Sequence, residues 1–251
     1  MKRRLFYLLK YYLLIVLLFV VAKLAFMSAC RGESTFSLTD VGLVVGHGLS
    51  LDLSTALYFI IIPYLAVMAS VWMRLSRWVL YIYYGIVALA FSLAFVADAS
   101  LYPFWQFKLD ASCLQYLETP GEAFASVTAG YLAVRFLAFA VAAIAIFCLE
   151  FKADRLEFAT TTQRNTGAMT SPRRTALSSK LKASVFFLLC VPIIVIGIRG
   201  GTGESTTNIG QVYFSQNQFL NHAAINPVFS FLASFEKTAS YVPDYRFMDD
   251  E

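Results

Sequence analysis

The sequence predicts an all-α membrane protein: five transmembrane helices followed by two short amphipathic helices on the outer membrane surface. Three observations carry that expectation. Hydrophobic residues make up 59% of the 251 positions and charged residues only 14%, where a soluble domain carries about a quarter charged. The apolar residues gather into long runs of the length that crosses a bilayer. Past the last run, residues 213–234 read YFSQNQFLNHAAINPVFSFLAS, in which amides and a histidine alternate with phenylalanines.

The five runs fall at about Leu5–Met27, Ser54–Met73, Trp78–Val96, Val127–Leu149 and Ala183–Ile198. At about 1.5 Å per residue each approaches the 30 Å of hydrocarbon to be crossed. The first run lacks a small-residue cleavage site and reads as a retained span, not a removed signal peptide. The fifth is the shortest, with Lys182 and Arg199 as interfacial anchors. Lys23, near the outer end of the first span, reads as a snorkelling anchor.

Basic residues set the direction. With the N-terminus inside, twelve Lys and Arg fall in inner segments and five in outer ones, while thirteen of the sixteen acids lie outside. The expected placement is therefore the plasma (inner) membrane, N-terminus cytoplasmic and C-terminus extracytoplasmic. The inner loop 150–182 is basic, rich in Thr and Ser and without periodicity, and reads as disordered chain against anionic headgroups. No internal repeat supports a transporter. The chain divides into a transmembrane domain, 1–198, and an extracytoplasmic juxtamembrane linker, 199–251.

The outer surface carries the candidate contacts. In loop 97–126, Tyr102, Phe104, Trp105 and Phe107 crowd around Pro103, with Asp98, Lys108 and Asp110 among them. Such rings favour the headgroup level, so the loop reads either as an aromatic belt with solvated charges or as a platform placing Lys108 against a lipid phosphate. Arg135 sits inside the fourth span, where an ionisable group is costly. It either snorkels unliganded or grips a phosphate in bidentate fashion. Asp98, Trp105, Lys108 and Arg135 are thus the candidate headgroup contacts, with anionic phospholipid the expected partner; nothing suits a nucleic acid.

In the linker, Ser215 and Gln218 match a capping box, and Phe214 with Phe219 a hydrophobic staple. They predict a short helix over about Gln216–Ile225. Asn226–Pro227 then caps and starts a second helix. In it Val228, Phe231, Leu232 and Phe235 form one apolar stripe, with Ser230, Ser234 and Lys237 facing away. Both helices are expected to lie flat on lipid, phenylalanines down.

The two histidines, His47 and His222, show no metal-ligand spacing. His47 reads as a loop residue between glycines, and His222 as bonded to a neighbouring backbone group or amide. Cys148 and Cys190 lie in spans or at the inner side. Cys30 and Cys113 both face outward, where a disulfide is chemically allowed, and the sequence leaves their pairing open.

At LDLSTALY (51–58), YPFWQFKLDASCLQYLETP (102–120) and NQFLNHAAINPVFSF (217–231) the chain resembles the N-terminal membrane region of the lipoteichoic acid synthase-like proteins. These are membrane-bound phosphoglycerol transferases and sulfatases of the alkaline phosphatase superfamily. The resemblance runs along essentially the whole chain, diffuse in the spans and more specific in the quoted stretches. It implies five helices, surface-lying linker helices and a large extracytoplasmic catalytic domain. There a hydroxyl nucleophile attacks an ester beside a divalent metal such as Mn²⁺ or Mg²⁺. The 251 residues are expected to stop before that domain, and none of them matches its nucleophile or ligands, so no cofactor and no catalytic residue are expected in this chain. The expected role is membrane anchor and lipid-facing portion of such a protein, partnered by its own or a separate catalytic domain. The alternative is a stand-alone polytopic scaffold.

Overall fold

The computed structural model describes residues 2–32, 35–73, 75–117, 121, 127–162 and 173–240. Part of the expected disordered inner loop (163–172), much of 118–126 and the tail 241–251 lie outside them, as does the side chain of Lys237. Among the described residues all regular structure is helical. Five long helices come first: α1 (Lys2–Cys30), α2 (Leu38–Ala69), α3 (Arg77–Trp105), α4 (Ala129–Thr162) and α5 (Arg173–Arg199). Two short ones follow, α6 (Gln218–Ala224) and α7 (Pro227–Ser240). All five long helices are long and apolar enough to cross a membrane, which makes this a multi-pass membrane protein.

Helix α1 shows how the bundle sorts its faces. Leu5, Leu9, Leu13, Leu17 and Val21 form an exposed row, while Tyr7, Tyr11, Ile15 and Phe19 form a buried one. Both rows repeat every four residues, the spacing of one helix face. Lipid tails are as apolar as leucine, so burial alone cannot choose between the rows; packing and hydrogen bonds do. The buried row supplies both. Phe19 packs on Phe91 of α3 with centroids 5.1 Å apart, and Tyr11 lies 5.5 Å from Tyr84. Hydrogen bonds tie helices too: Tyr11 donates to Glu150 (2.9 Å), Tyr83 to the Phe59 carbonyl (2.6 Å) and Ser54 to that of Ile198 (2.5 Å).

Helices α1 and α2 form the centre. Half or more of their most apolar stretches is buried in protein (50% and 56%), against 6% for α4 and α5. Helix α4 packs on α3 and α1, and α5 on α2, so these two present most of their surface outward. Helix α5 ends where Gly200 and Gly201 adopt positive φ (88° and 125°) and the Gly201 N–H returns to the Ile196 carbonyl at 2.9 Å, a conformation glycine adopts without strain.

Four expectations about the helices change. Helix α2 starts at Leu38, sixteen positions before the apolar run, because Ser37 and Asp40 cap each other's backbone N–H (3.2 and 2.7 Å). His47 is therefore helical, not a loop residue, and stacks on Phe214 at 4.6 Å. Helices α4 and α5 extend into the supposed disordered loop, reaching Thr162 and starting at Arg173. The cap of α6 is Asn217, whose side chain accepts from the Phe219 N–H at 3.0 Å; Ser215 instead accepts from Asn217.

The fourth change matters most. Helix α6 does not rest on a lipid surface. Every residue from Phe219 to Val228 is buried, with α6 packed on α1 and α2 and α7 on α3. Ser230 of α7 is buried too, and Ser234 accepts from the Ala111 N–H at 2.7 Å, while Leu232 and Phe235 stay exposed. The polar side of α7 thus faces protein, and part of its apolar stripe faces out.

Candidate functional site

The end of the bundle that receives α6 and α7 holds most of the buried polar chemistry. Lys23 is 1% exposed and Asp52 0%, and their Nζ and Oδ2 atoms are 2.6 Å apart. Lys23 is therefore an interior ion-pair partner, not a snorkelling anchor. Asp52 Oδ1 accepts from the Asn226 amide at 3.1 Å, and that amide also reaches Thr55 Oγ1 at 3.3 Å. Thr55 in turn donates to the Leu51 carbonyl (2.6 Å). The Asn226 oxygen accepts from the Phe229 N–H at 2.7 Å, so one side chain caps α7 and ties it to α2. A buried ion pair persists when its remaining hydrogen-bonding positions are filled, and Asn226 fills one. Gly48 makes the arrangement possible: a Cβ there would collide with the Ala224 carbonyl and with Lys23 Nζ.

A second pair lies alongside. Asp98 bonds Lys108 through Oδ2 and accepts from the Leu109 N–H through Oδ1 (3.0 Å), which folds the chain after α3 back onto that helix. Helix α3 stops at Gln106, in the left-handed region at φ 57°. Lys108 Nζ also sits 3.8 Å over the Phe26 ring, a favourable cation–π position. His222 contacts the Tyr102 hydroxyl through Nδ1 (3.1 Å) and Gln218 through Nε2 (3.4 Å). Burial first, and Lys108 next, push its imidazole below the ordinary value, with Asp98 pulling the other way. Asn221 accepts from the N–H groups of Phe214 and Ser215 and donates to the Ser215 carbonyl (3.0, 2.9 and 2.6 Å). The side chains of Asn217, Gln218, Asn221 and Asn226 are thus all engaged within the protein.

Between these elements lies a cleft of about 370 Å³. Phe107, Lys108 and Asp110 form one wall, Ile209, Gly210 and Tyr213 another, with His222, Ile225, Ser230, Ala233 and Ser234 closing it. Apolar walls with a few convergent polar groups suit a small amphiphilic group. Because Lys108 is paired to Asp98, and Asp110 adds a second carboxylate, the cleft carries no excess of positive charge.

Of the four candidate contacts, the structure brings Asp98 and Lys108 together, on each other. Trp105 is half-buried and stacks on Phe107 at 5.2 Å. Arg135, on α4, lies 4.8 Å over the Tyr131 ring, its Nε buried without a hydrogen-bond partner. Neither Trp105 nor Arg135 lines the cleft. Cys30 and Cys113 are free thiols, and Cys30 meets the Ala99 carbonyl at 3.4 Å.

No protein-family model, curated protein or solved structure matches this chain. Among the described residues, no three His, Cys, Asp or Glu side chains stand together so as to hold a metal ion.

Sequence reasoning missed Lys23, Asp52 and Asn226 as a unit. The available signal was a lone cation and a lone acid set into apolar stretches on consecutive helices, since charges inside a bilayer are kept only when paired.

Proposed function

We propose that this chain is the membrane anchor and lipid-facing portion of a cell-envelope protein of the lipoteichoic acid synthase-like kind, with its N-terminus cytoplasmic and α6 and α7 extracytoplasmic. The observation that carries the reading is the buried Lys23–Asp52–Asn226 lock. It fixes the start of α7 to the two central helices, so α7 starts from a rigid base. A hinged or floating linker would not need a buried ion pair to hold it. In this reading 1–198 is the spanning domain and 199–251 the juxtamembrane linker.

Arg135 is the proposed phosphate contact, because its guanidinium lies in the outer part of the fourth span and its Nε has no protein partner. Trp105 supplies a ring at headgroup level, and Lys108, its charge paired to Asp98, lines the neighbouring cleft. Anionic phospholipid is the partner this arrangement suits. The Arg135→Leu variant is expected to retain less anionic phospholipid after detergent purification, read by native mass spectrometry; unchanged retention contradicts the lipid contact. For the anchor role, the source gene is sequenced 3′ of the Glu251 codon. A reading frame running into an alkaline phosphatase-superfamily domain supports it, and an unrelated neighbour contradicts it.

A further inference from the structure

The opposite end of the bundle holds a second polar cluster, which the anchor role does not use. Glu150 and Asp154 stand one turn apart on α4, 0% and 1% exposed, within the membrane-spanning stretch. Both sit where α4 packs on α1 and α3. From α1, the Tyr11 hydroxyl donates to Glu150 Oε1 at 2.9 Å. Tyr83 and Tyr84 of α3 ring the same place, their centroids 6.5 and 5.5 Å from that of Tyr11, and the hydroxyls of Tyr7 and Tyr84 bond each other. Glu150 Oε2 and both Asp154 oxygens are buried without a hydrogen-bond partner.

The two acids differ in what faces them. Arg77 of α3 and Lys10 of α1 lie near enough to act on the charge of Asp154, with Tyr84 also beside it. Glu150 is met by tyrosine hydroxyls and rings. A bare carboxylate in such a site loses its hydration with nothing opposite to replace it, whereas a neutral acid forfeits at most one hydrogen bond. A proton also needs no cavity.

We propose that Glu150 is a proton-binding site: it holds a proton on Oε2 while α4 is docked on α1 and α3, and losing that proton loosens α4. Oε1 stays the acceptor for Tyr11, so the proton is the only species added. Because the docked form holds a proton that the undocked form releases, stability contributed here falls as pH rises. This inference does not depend on the anchor reading.

The test uses the full chain in lipid nanodiscs. Infrared difference spectra across a pH titration should show the carbonyl stretch of a protonated carboxyl at neutral pH, lost in Glu150→Gln and kept in Asp154→Asn. Glutamine mimics the neutral acid, so Glu150→Gln should melt within a few degrees of the parent at neutral pH and lose the parent's destabilisation at alkaline pH. Absence of the protonated band from the parent at neutral pH overturns the proposal, and so does its persistence in Glu150→Gln. If Glu150→Gln does not fold, the parent and Asp154→Asn still decide it: the band must be present in both.

Discussion

Asn226 donates from its side chain to Asp52 at 3.1 Å across 174 positions of chain, and its oxygen caps α7 at 2.7 Å. Asn226→Ala removes both functions. Loss of a helix cap costs about 1 kcal/mol, and stripping a donor from a buried carboxylate about 1–3 kcal/mol more. The variant should therefore melt well below the parent in detergent. Asn226→Asp should keep the cap yet be no better, since it sets a second carboxylate against Asp52.

The Lys23–Asp52 pair predicts a non-additive cycle. Removing either partner leaves a buried charge unopposed, a loss of about 3–5 kcal/mol by analogy with other buried pairs. Lys23→Met with Asp52→Leu removes both charges at similar volume. The double variant should recover most of the stability lost by Lys23→Met alone, measured by chemical unfolding in mild detergent. Additive losses would mean that the two charges do not depend on each other.

Two glycines of α2 should respond with opposite sign. A Cβ at Gly48 meets the Ala224 carbonyl, a backbone atom that cannot swing away, and Lys23 Nζ; a Cβ at Gly46 meets nothing within 4 Å. Gly48→Ala should cost about 1–3 kcal/mol through overpacking. Gly46→Ala should be neutral or stabilise by up to about 1 kcal/mol, since alanine favours the helix. Thermal melts of the two variants beside the parent check this.

The spans were legible because a bilayer demands long apolar helices and leaves little choice. The Asn226 cap of α7 was legible too, since Asn–Pro before an apolar stripe is a local signal. What stayed hidden was which polar residues turn inward. Asp52 falls two positions before the expected second span and so counts among the outer acids, when it is in fact answered by Lys23 from another helix. Glu150 and Asp154 likewise read as loop acids, because nothing nearby in sequence tells of Tyr11 or Tyr84. For α6 the local pattern of phenylalanines and amides suits a lipid surface as well as a protein groove. Only the partners Phe26 of α1, Phe36 just ahead of α2 and Tyr102 of α3 decide between them.

His222 gives the linker end a pH dependence of definite sign. Its imidazole is held below the ordinary value by burial and by Lys108, so the folded state binds a proton less readily than the unfolded chain. The stability it contributes is full above the ordinary imidazole value of about 6.5. It is lost progressively as pH falls from there toward the depressed value. His222→Gln cannot titrate, so between pH 7.5 and about 5 the parent should lose more melting temperature than the variant; parallel curves would contradict the assignment.

Backbone hydrogen–deuterium exchange over residues 219–228, in nanodiscs, tests the buried seat of α6 most directly. Exchange should be slow in the parent and fast in Asn226→Ala, with α1 unchanged in both. Fast exchange in the parent would place α6 outside the bundle and contradict that seat.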